Sequence, residues 1–456
     1  MAGSVTTLGA GSGLDLQGII DKLKAADQVP ITNIKAKQLQ YKDQLAEFDT
    51  VNTKLLAVKT QALELSLEST FSSRQISSSQ EGVLTATANT SASTGVAEVT
   101  VGRLAKQNSW QSSGVAAADS LVASGTGSFT YTVDGSQTSV AVTASTTLQQ
   151  LIDAINDDAD NPGITATLMD DGSGTATAFH VVLVANDTGD ANAITIDTNN
   201  TNLTMTAIQA AGSLDAQVTI NGLTYSRAGN TIDDIITGVT LNLVATGSAS
   251  LSVTSDTASV QDKIVAMVDA FNEAIKEINT NSAYDQETKV AGSLSGVGAF
   301  QRLTSQLTQT LLSSIGGLGG AYDNMGDLGL SFNRDGTIAV DETVLTDAVE
   351  NHLADVQLLL VGDEAAGIDG IATLLNSQLL DITKPSRGLI ANEKTRVDQT
   401  IQRLNDEIDT QTIRLNNRYD LLQKQFVALD TLMSNIKQQG DYLTAQFQSW
   451  TANTNN

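Results

Sequence analysis

The chain of 456 residues contains no cysteine, three prolines and few aromatic residues. The absence of cysteine excludes disulfides, thiolate metal ligands and cysteine nucleophiles. Because Pro30, Pro162 and Pro385 are the only prolines, long uninterrupted helices are permitted. Aromatic residues make up 4% of the chain, so large aromatic-lined pockets are not expected. A chain of this length exceeds a single hydrophobic core and predicts two to four domains.

The sequence also lacks the segments that carry proteins into or across membranes. It has no run of about eighteen apolar residues, so we predict no membrane insertion. It begins MAGSVTTLGAGSGLDLQGII, without the basic segment and following apolar segment that are typical of a secretory signal peptide. If the protein leaves a cell, we expect it to leave by another route.

Positive charge is scarce. The formal net charge of −26 disfavours nucleic acid as a partner, because most of the surface would repel a polyanion. Between Gln107 and Asp262 the chain has sixteen aspartates, no glutamate and one cation, Arg227. The simplest interpretation is the solubility of an exposed region. A cation-binding or adhesive surface is the alternative.

Two apolar stripes with heptad spacing lie towards the ends of the chain. Steps of three and four residues, with one step of seven across Gly440 in the second stripe, place each stripe on one face of a helix. The first stripe comprises Ile31, Ile34, Gln38, Tyr41, Leu45, Phe48, Asn52 and Leu55. The second comprises Leu422, Phe426, Leu429, Met433, Ile436, Leu443, Phe447 and Trp450. Each helix is the other's simplest partner, so we predict that they pair as a stalk.

Further apolar residues accompany both stripes. Those that widen the C-terminal stripe are Ile413, Leu421, Val427, Leu432 and Tyr442. Because two paired helices bury one stripe each, this wider face predicts partners from other subunits. A short amphipathic helix is predicted upstream of the first stripe from Leu14, Ile19, Ile20 and Leu23. We expect Val29-Pro30 to interrupt it and Pro30 to begin the long helix that follows.

The middle of the chain predicts β-structure. Residues 72–256 are rich in Ser, Thr, Gly and Val and contain period-two runs, which are typical of strands. The pairs Asn221-Gly222 and Asp134-Gly135 lie between such runs and predict tight hairpins.

Helices are also predicted around and after this β-rich part. One runs from Thr147 to Ala159, with Thr147 as its N-cap. Asp233-Asp234, which precede a short apolar run, are interpreted as acids at a helix N-terminus. The stretch TVLTDAVENHLADVQLLLV is interpreted as one helix that ends at Gly362.

No pattern in the sequence predicts catalysis, a cofactor or a metal site. Neither His180 nor His352 has a second ligand at metal spacing. The segment DADNPG fails as a calcium loop, because Pro162 occupies the fifth position and Met169 stands where a bidentate glutamate is needed. Nucleophile-elbow and P-loop motifs are absent. An enzyme is therefore the function class that we expect least.

Four stretches together resemble the bacterial flagellar filament-capping family, also called hook-associated protein 2. Three of them match the opening, the internal block and the C-terminal signature of that family, and the fourth resembles the hook-IN motif of flagellar proteins. They are GSGLDLQGIIDKLKAADQVPI, SFNRDGTIAVDETVLTDAVENHLADVQLLLVGDEAAGI, RYDLLQKQFVALDTLMSNIKQQGDYLTAQF and TTLQQLIDAINDDADNPGITATLMDDGSGTATAFHVVLVANDTG.

The resemblance implies a cap at the distal tip of the flagellum that works without covalent chemistry. Subunits of such caps form a ring, often a pentamer, which retains exported flagellin and promotes its folding and insertion. The resemblance also implies export through the flagellar type III apparatus and a cytoplasmic chaperone that holds the C-terminal helix. The alternatives are an adhesin head on a coiled-coil stalk and a hook–filament junction protein.

We therefore predict an α+β multidomain fold, in which long terminal helices form a coiled-coil leg and a helical bundle, and two nested antiparallel β-rich head domains are inserted between them. The predicted domains are a leg (1–40 plus 411–456), a bundle with a small hairpin (41–75 plus 257–410), an inner head (76–107 plus 214–256) and an outer head (108–213). The predicted partner-binding residues are Leu14, Ile19, Ile20, Leu23, Leu422, Phe426, Leu429, Met433, Ile436, Leu443 and Phe447.

Overall fold

The computed structural model describes residues 13, 15–287 and 289–454, the last five of them as backbone. Leu14 and the side chain of Trp450 lie outside the described part. The chain divides into two compact units. The helical unit comprises Met1–Glu68 and Ser259–Asn456, and the β-rich unit comprises Ser69–Ala258. The predicted α+β multidomain class is confirmed.

The described helices range from a single turn to 66 residues. They are α1 (Leu16–Leu65), α2 (Glu68–Phe71), α3 (Leu148–Asn156), α4 (Thr257–Ser282), α5 (Gly298–Leu311), α6 (Glu342–Asn351), α7 (Leu353–Val361), α8 (Ile371–Thr383) and α9 (Leu389–Thr454). Short 3₁₀ turns lie at Asp190–Asn192 and Met325–Leu328.

Most of the described strands belong to the β-rich unit. These are β1 (Arg74–Ser78), β2 (Leu84–Ala88), β3 (Gly95–Arg103), β4 (Gln107–Ser112), β5 (Gly127–Val133), β6 (Ser136–Val142), β7 (Ile164–Asp170), β8 (Phe179–Thr188), β9 (Thr195–Asn199), β10 (Met205–Ala207), β11 (Ala216–Ile220), β12 (Leu223–Arg227), β13 (Thr231–Ile236), β14 (Val239–Leu243) and β15 (Gly247–Ser255). The helical unit contributes short hairpin strands, which are β16 (Tyr284–Asp285), β17 (Val290–Ala291), β18 (Leu330–Phe332), β19 (Ile338–Val340), β20 (Gly362–Asp363) and β21 (Ile368–Asp369).

In the helical unit, α1 carries the first predicted stripe and packs against α8 and α9. Phe48 and Leu55 of that stripe are fully buried, and the Phe48 ring lies 5.2 Å from the ring of Phe300 on α5. The hairpin of β18 and β19 is attached to α4 by Asn272, whose side chain exchanges hydrogen bonds with the backbone of Ile338.

Two predicted helix boundaries in this unit are wrong. Helix α1 continues through Pro30, because Ile20 before the proline and Ile31 after it pack into the same apolar cluster. Conversely, the predicted single helix ending at Gly362 breaks at His352, whose φ of −135° and ψ of 35° leave the helical region. The heptad spacing from Val349 to Val356, both buried, continues across this break, so periodicity does not reveal it.

The β-rich unit contains two hydrophobic cores. The first lies between a five-stranded antiparallel sheet, in the order β1-β15-β3-β11-β12, and a three-stranded sheet, in the order β13-β14-β2. The second lies under the sheets β10-β4-β8-β7 and β6-β5-β9, and the apolar face of α3 covers it. The first core draws on residues 84–105 and 216–253, whereas the second draws on residues 122–203. This separation supports the nested division into inner and outer heads, which stays a proposal.

Of three local predictions in this unit, two are confirmed and one is wrong. Asn221 and Gly222 have φ of 49° and 86°, as a type I′ hairpin requires. Thr147 caps α3 in a capping box with Gln150, as its position predicted. The interpretation of Asp233 and Asp234 as helix N-terminal acids is wrong, because both lie in β13.

Candidate functional site

Helices α1 and α9 run antiparallel, and polar side chains define their register. Lys394 Nζ lies 2.6 Å from Asp49 Oδ1, Gln38 bonds to Asn405, and Arg418 Nη1 lies 3.0 Å from Asp27 Oδ2. The residue numbers in each pair add up to 443–445. The two terminal helices therefore pair, as predicted, but the two stripes do not face each other, because this register sets the first stripe, residues 31–55, opposite about residues 389–413 of α9. The polar Gln38 on the first stripe has a polar partner on the other helix.

An apolar cluster closes the end of this helix pair. Ile20, Ile31, Leu415 and Tyr419 are buried there, and Ile408, Leu422 and Phe426 pack against them. The hydroxyl of Tyr419 donates a hydrogen bond of 2.7 Å to Asp27 Oδ2. Burial of the ring, together with this bond to a carboxylate, raises the pKa of Tyr419.

Helix α9 extends well beyond this cluster. The pairing register places Leu16, at the start of α1, level with about residue 428 of α9. Residues 429–454 therefore continue past the described part of α1, over about 39 Å at 1.5 Å per residue. We call residues 429–454 the overhang. Five of its large apolar side chains are between 40% and 65% exposed, namely Leu429, Met433, Ile436, Leu443 and Phe447.

The predicted partner-binding residues thus fall into three groups. Ile20, Leu422 and Phe426 lie wholly or partly inside the apolar cluster of the helix pair. Ile19 and Leu23 lie on the exposed side of α1. The remaining described residues form the exposed stripe of the overhang, and Leu14 is outside the described part.

Neighbouring apolar residues extend the same exposed surface. Leu432 and Tyr442 are 56% and 65% exposed. Charged residues are sparse here, since the sequence from Thr431 to Ser449 contains two of them, Lys437 and Asp441. Sequence reasoning did not include Asp27, which joins α1 to both Arg418 and Tyr419, because a single acid on a helix surface carries no recognisable pattern.

The described residues offer neither a metal-binding group nor a membrane-spanning helix. They contain no group of three or more His, Asp or Glu side chains that could hold a metal ion. Within the same part of the chain, no helix combines the length and apolar character needed to cross a bilayer. The exposed stripe of the overhang, which contains five of the predicted partner-binding residues, is the candidate functional site.

Comparison with known proteins matches both ends of the chain to one family. The model for the flagellar hook-associated protein 2 N-terminus matches residues 12–108, and the model for its C-terminus matches residues 213–438. The chain belongs to the flagellar hook-associated protein 2 family. Between these two matches, the flagellin hook IN motif matches residues 125–178, which overlaps the segment that suggested it.

Individual members of the family match over nearly their whole length. A-type flagellar hook-associated protein 2 of Pseudomonas aeruginosa is 26% identical over 476 residues, which cover 96% of each chain. Flagellar hook-associated protein 2 of Escherichia coli strain K12 is also 26% identical, over 98% of each chain. The crystal structure of the flagellar cap protein FliD D1-D2-D3 domains from Escherichia coli has the same fold, with a TM-score of 0.59 and 24% identity over 77% of this chain and 99% of that one.

Proposed function

We propose that this flagellar filament-capping protein, at the distal tip of the filament, is an oligomeric scaffold that retains exported flagellin and promotes its folding and insertion. Membership of the flagellar hook-associated protein 2 family carries the capping function and its location. The adhesin and junction-protein alternatives are not favoured by that membership. The observation that supports the scaffold mechanism is the exposed apolar stripe of the overhang.

Energetics support an oligomer over a single helix-to-helix contact. Burying one large apolar side chain from full exposure contributes about 1.5–3 kcal/mol, so the five stripe side chains, which are 40–65% exposed, contribute roughly 4–8 kcal/mol. The loss of translational and rotational freedom on association costs about 4–15 kcal/mol. One overhang therefore binds one partner marginally, whereas several overhangs held in one assembly bind with higher effective affinity.

We propose that the stripe meets different partners in succession. A cytoplasmic export chaperone covers it before the chain enters the flagellar type III export apparatus. At the tip, the same stripe contacts neighbouring subunits of a ring, which we propose is a pentamer, and flagellin. The uncovered apolar surface is consistent with this sequence of partners, because it needs cover in each setting. We propose no covalent chemistry in these steps.

The test is a charge placed in the middle of the stripe, with a matched charge placed beside it. Ile436→Asp puts a carboxylate on the stripe, whereas Asn435→Asp adds the same charge at an exposed neighbour that is off the stripe. Gold-labelled protein is mixed with cap-less flagellar filaments and observed by electron microscopy. We expect gold at one filament end for the unmodified chain and for Asn435→Asp, and its loss for Ile436→Asp.

The alternative outcomes are distinct. Gold along the shaft, or nowhere, for the unmodified chain would overturn the capping mechanism. Tip labelling by Ile436→Asp equal to that of Asn435→Asp would leave capping intact and remove the stripe from it.

A further inference from the structure

Strand β7 lies at one edge of the sheet β10-β4-β8-β7, so part of its backbone points away from the sheet. Its described strand partner is β8, with Ile164 opposite Ala185 and Asp170 opposite Phe179. In an antiparallel ladder the backbone groups of alternate residues face the partner strand. Every second residue of β7 therefore presents its N–H and C=O outwards, and such an edge is where a further strand can add to a sheet.

The outward backbone groups of Ala166 are bonded to the side chain of Asn156. The Ala166 N–H donates to Asn156 Oδ1, and Asn156 Nδ2 donates to the Ala166 carbonyl oxygen, both at 2.8 Å. One carboxamide thus makes the pair of hydrogen bonds that a residue of a neighbouring strand would make. While Asn156 occupies this position, Ala166 is not available to an added strand.

The preceding outward residue, Ile164, is paired in the same way by Asn161. The Ile164 N–H donates to Asn161 Oδ1 at 3.0 Å, and Asn161 Nδ2 donates to the Ile164 carbonyl oxygen at 2.9 Å. The same carboxamide also bonds to the Gly163 N–H and to the Ile155 carbonyl oxygen. Both of its donor hydrogens and both acceptor positions of its oxygen are therefore used.

Helix α3 and the loop after it place both asparagines beside β7. The apolar face of α3 is buried in the second core, and α3 packs against β7. Ile155 is fully buried, whereas Asn156, the last residue of the helix, is exposed and reaches the strand. Both asparagines and β7 lie within residues 125–178, the part of the chain that matches the flagellin hook IN motif.

The rest of the sheet edge is short or charged. By the same alternation, Leu168 and Asp170 are the other outward residues of β7, and Asp170 carries a carboxylate there. At the opposite edge of the sheet, β10 has three residues, and the next N–H of β4, that of Ser109, donates to Gln209 Oε1 at 2.8 Å. Charged residues and very short strands both deter strand addition.

We propose that Asn156 and Asn161 substitute for a neighbouring strand and close the β7 edge, so that copies of the chain lying side by side do not join through it. The partner that they exclude is the β7 edge of a second copy, because two identical edges can pair about a two-fold axis. Without the Asn156 side chain, Ala166 and Leu168 become neighbouring open positions of one ladder. This proposal does not rest on the scaffold mechanism of the overhang.

The experiment uses full-length chains that all carry Ile436→Asp, which interrupts the apolar stripe of the overhang. Asn156→Ala opens the edge at Ala166, whereas Asn156→Asp keeps the acceptor for the Ala166 N–H and adds a charge at the edge. Asn230→Ala is the matched control. Asn230 makes the same pair of bonds to Ala105, at 2.7 and 3.1 Å, but Ala105 lies outside the strands.

A spin label on β7 reports whether two edges meet. The label is attached through Thr167→Cys, because Thr167 is exposed and the chain has no other cysteine. Neighbouring strands lie about 4.8 Å apart, so labels on paired edges broaden each other's electron paramagnetic resonance spectrum. We expect broadening, and a shift from monomer to dimer in sedimentation velocity, for Asn156→Ala. We expect neither for Asn156→Asp or Asn230→Ala, although the urea midpoints of all three variants fall.

Absence of broadening for folded Asn156→Ala would overturn the proposal. Equal broadening for Asn230→Ala would also overturn it, because association would then follow lost stability. Amide hydrogen exchange in the unmodified chain makes the test independent of how the variants fold. We expect the Ala166 amide to exchange more slowly than the outward amide of Leu168, and equal rates would mean that Asn156 does not close the edge. None of these outcomes bears on capping.

Discussion

The hydroxyl of Tyr131 is a buried polar atom that destabilises the core around it. The ring is fully buried in the second core of the β-rich unit, 6.1 Å from the ring of Phe129, but the hydroxyl has no hydrogen-bond partner. Burial, followed by the charge of Asp158, raises the pKa of Tyr131 to about 12. The side chain therefore stays neutral through the physiological range, and its hydroxyl contributes a desolvation cost.

We predict that Tyr131→Phe stabilises the protein. Removing a buried, unsatisfied hydroxyl recovers about 1–3 kcal/mol of desolvation cost, so we expect the free energy of unfolding to rise by about 1 kcal/mol. Urea denaturation near neutral pH measures this free energy of unfolding. Tyr225→Phe, in a partly exposed strand position, is the control and should change little. A fall in stability for Tyr131→Phe would mean that the hydroxyl has a partner.

At the residue scale, the sequence predicted those features whose cause is local. The N-cap at Thr147 and the turn at Asn221-Gly222 depend on a few neighbouring residues, and both are present. Asp233 and Asp234 were misread because the short apolar run after them continues strand β13 and does not begin a helix. Asp234 accepts hydrogen bonds of 2.9 Å from Arg227, which lies seven residues earlier on β12, a strand of a different sheet.

At the scale of elements, periodicity predicted the long helices, but it did not predict how much of each apolar stripe a partner helix would bury. The stripe of α9 has the same spacing at Leu415, which is buried, as at Ile436, which is exposed. The two residues differ in exposure because the described part of α1 begins at Leu16. It therefore lies beside Leu415 but does not reach Ile436. The position of the exposed segment therefore comes from the antiparallel register, which side chains such as Asp27 and Lys394 define.

We predict that most of the overhang is dispensable for the fold of the chain. A chain that ends at Asp430 loses exposed side chains and keeps the apolar cluster of the helix pair, so its melting temperature should match that of the full chain. A chain that ends at Leu415 also loses Tyr419, Leu422 and Phe426, and it should melt at a lower temperature. Thermal circular dichroism compares the two. A large fall in melting temperature for the chain that ends at Asp430 would show that the overhang is covered within the chain.

At the scale of the whole molecule, the β-rich unit is an insertion with its two ends side by side. β1 and β15, its first and last strands, pair in register from Arg74 opposite Ser255. The change of texture predicted the insertion, because the helical regions before and after it are each other's simplest partners, but it did not predict that β1 and β15 pair. The strand order within the sheets was not predictable, since it depends on pairings between residues far apart, such as β3 with β11 and β15.

Charge at this scale gives a prediction about assembly. A net charge of −26 makes copies of the chain repel one another, whereas the proposed contact surface on the overhang is apolar and carries few charges. Salt screens repulsion between exposed charges, with a Debye length of about 30 Å at 0.01 M and about 10 Å at 0.1 M. Apolar contacts persist under that screening, so we expect self-association of the full chain to strengthen as salt is added.

Sedimentation velocity at a fixed protein concentration, in about 0.02 M and about 0.3 M sodium chloride, measures this effect. The unmodified chain should shift to larger species at the higher salt, and Ile436→Asp should remain monomeric at both because its stripe is interrupted. Self-association that weakens with salt would contradict the prediction, because it would mean that ion pairs hold the subunits together. In that case the interface would have to include surfaces that carry the cations of the chain, which the overhang stripe does not supply.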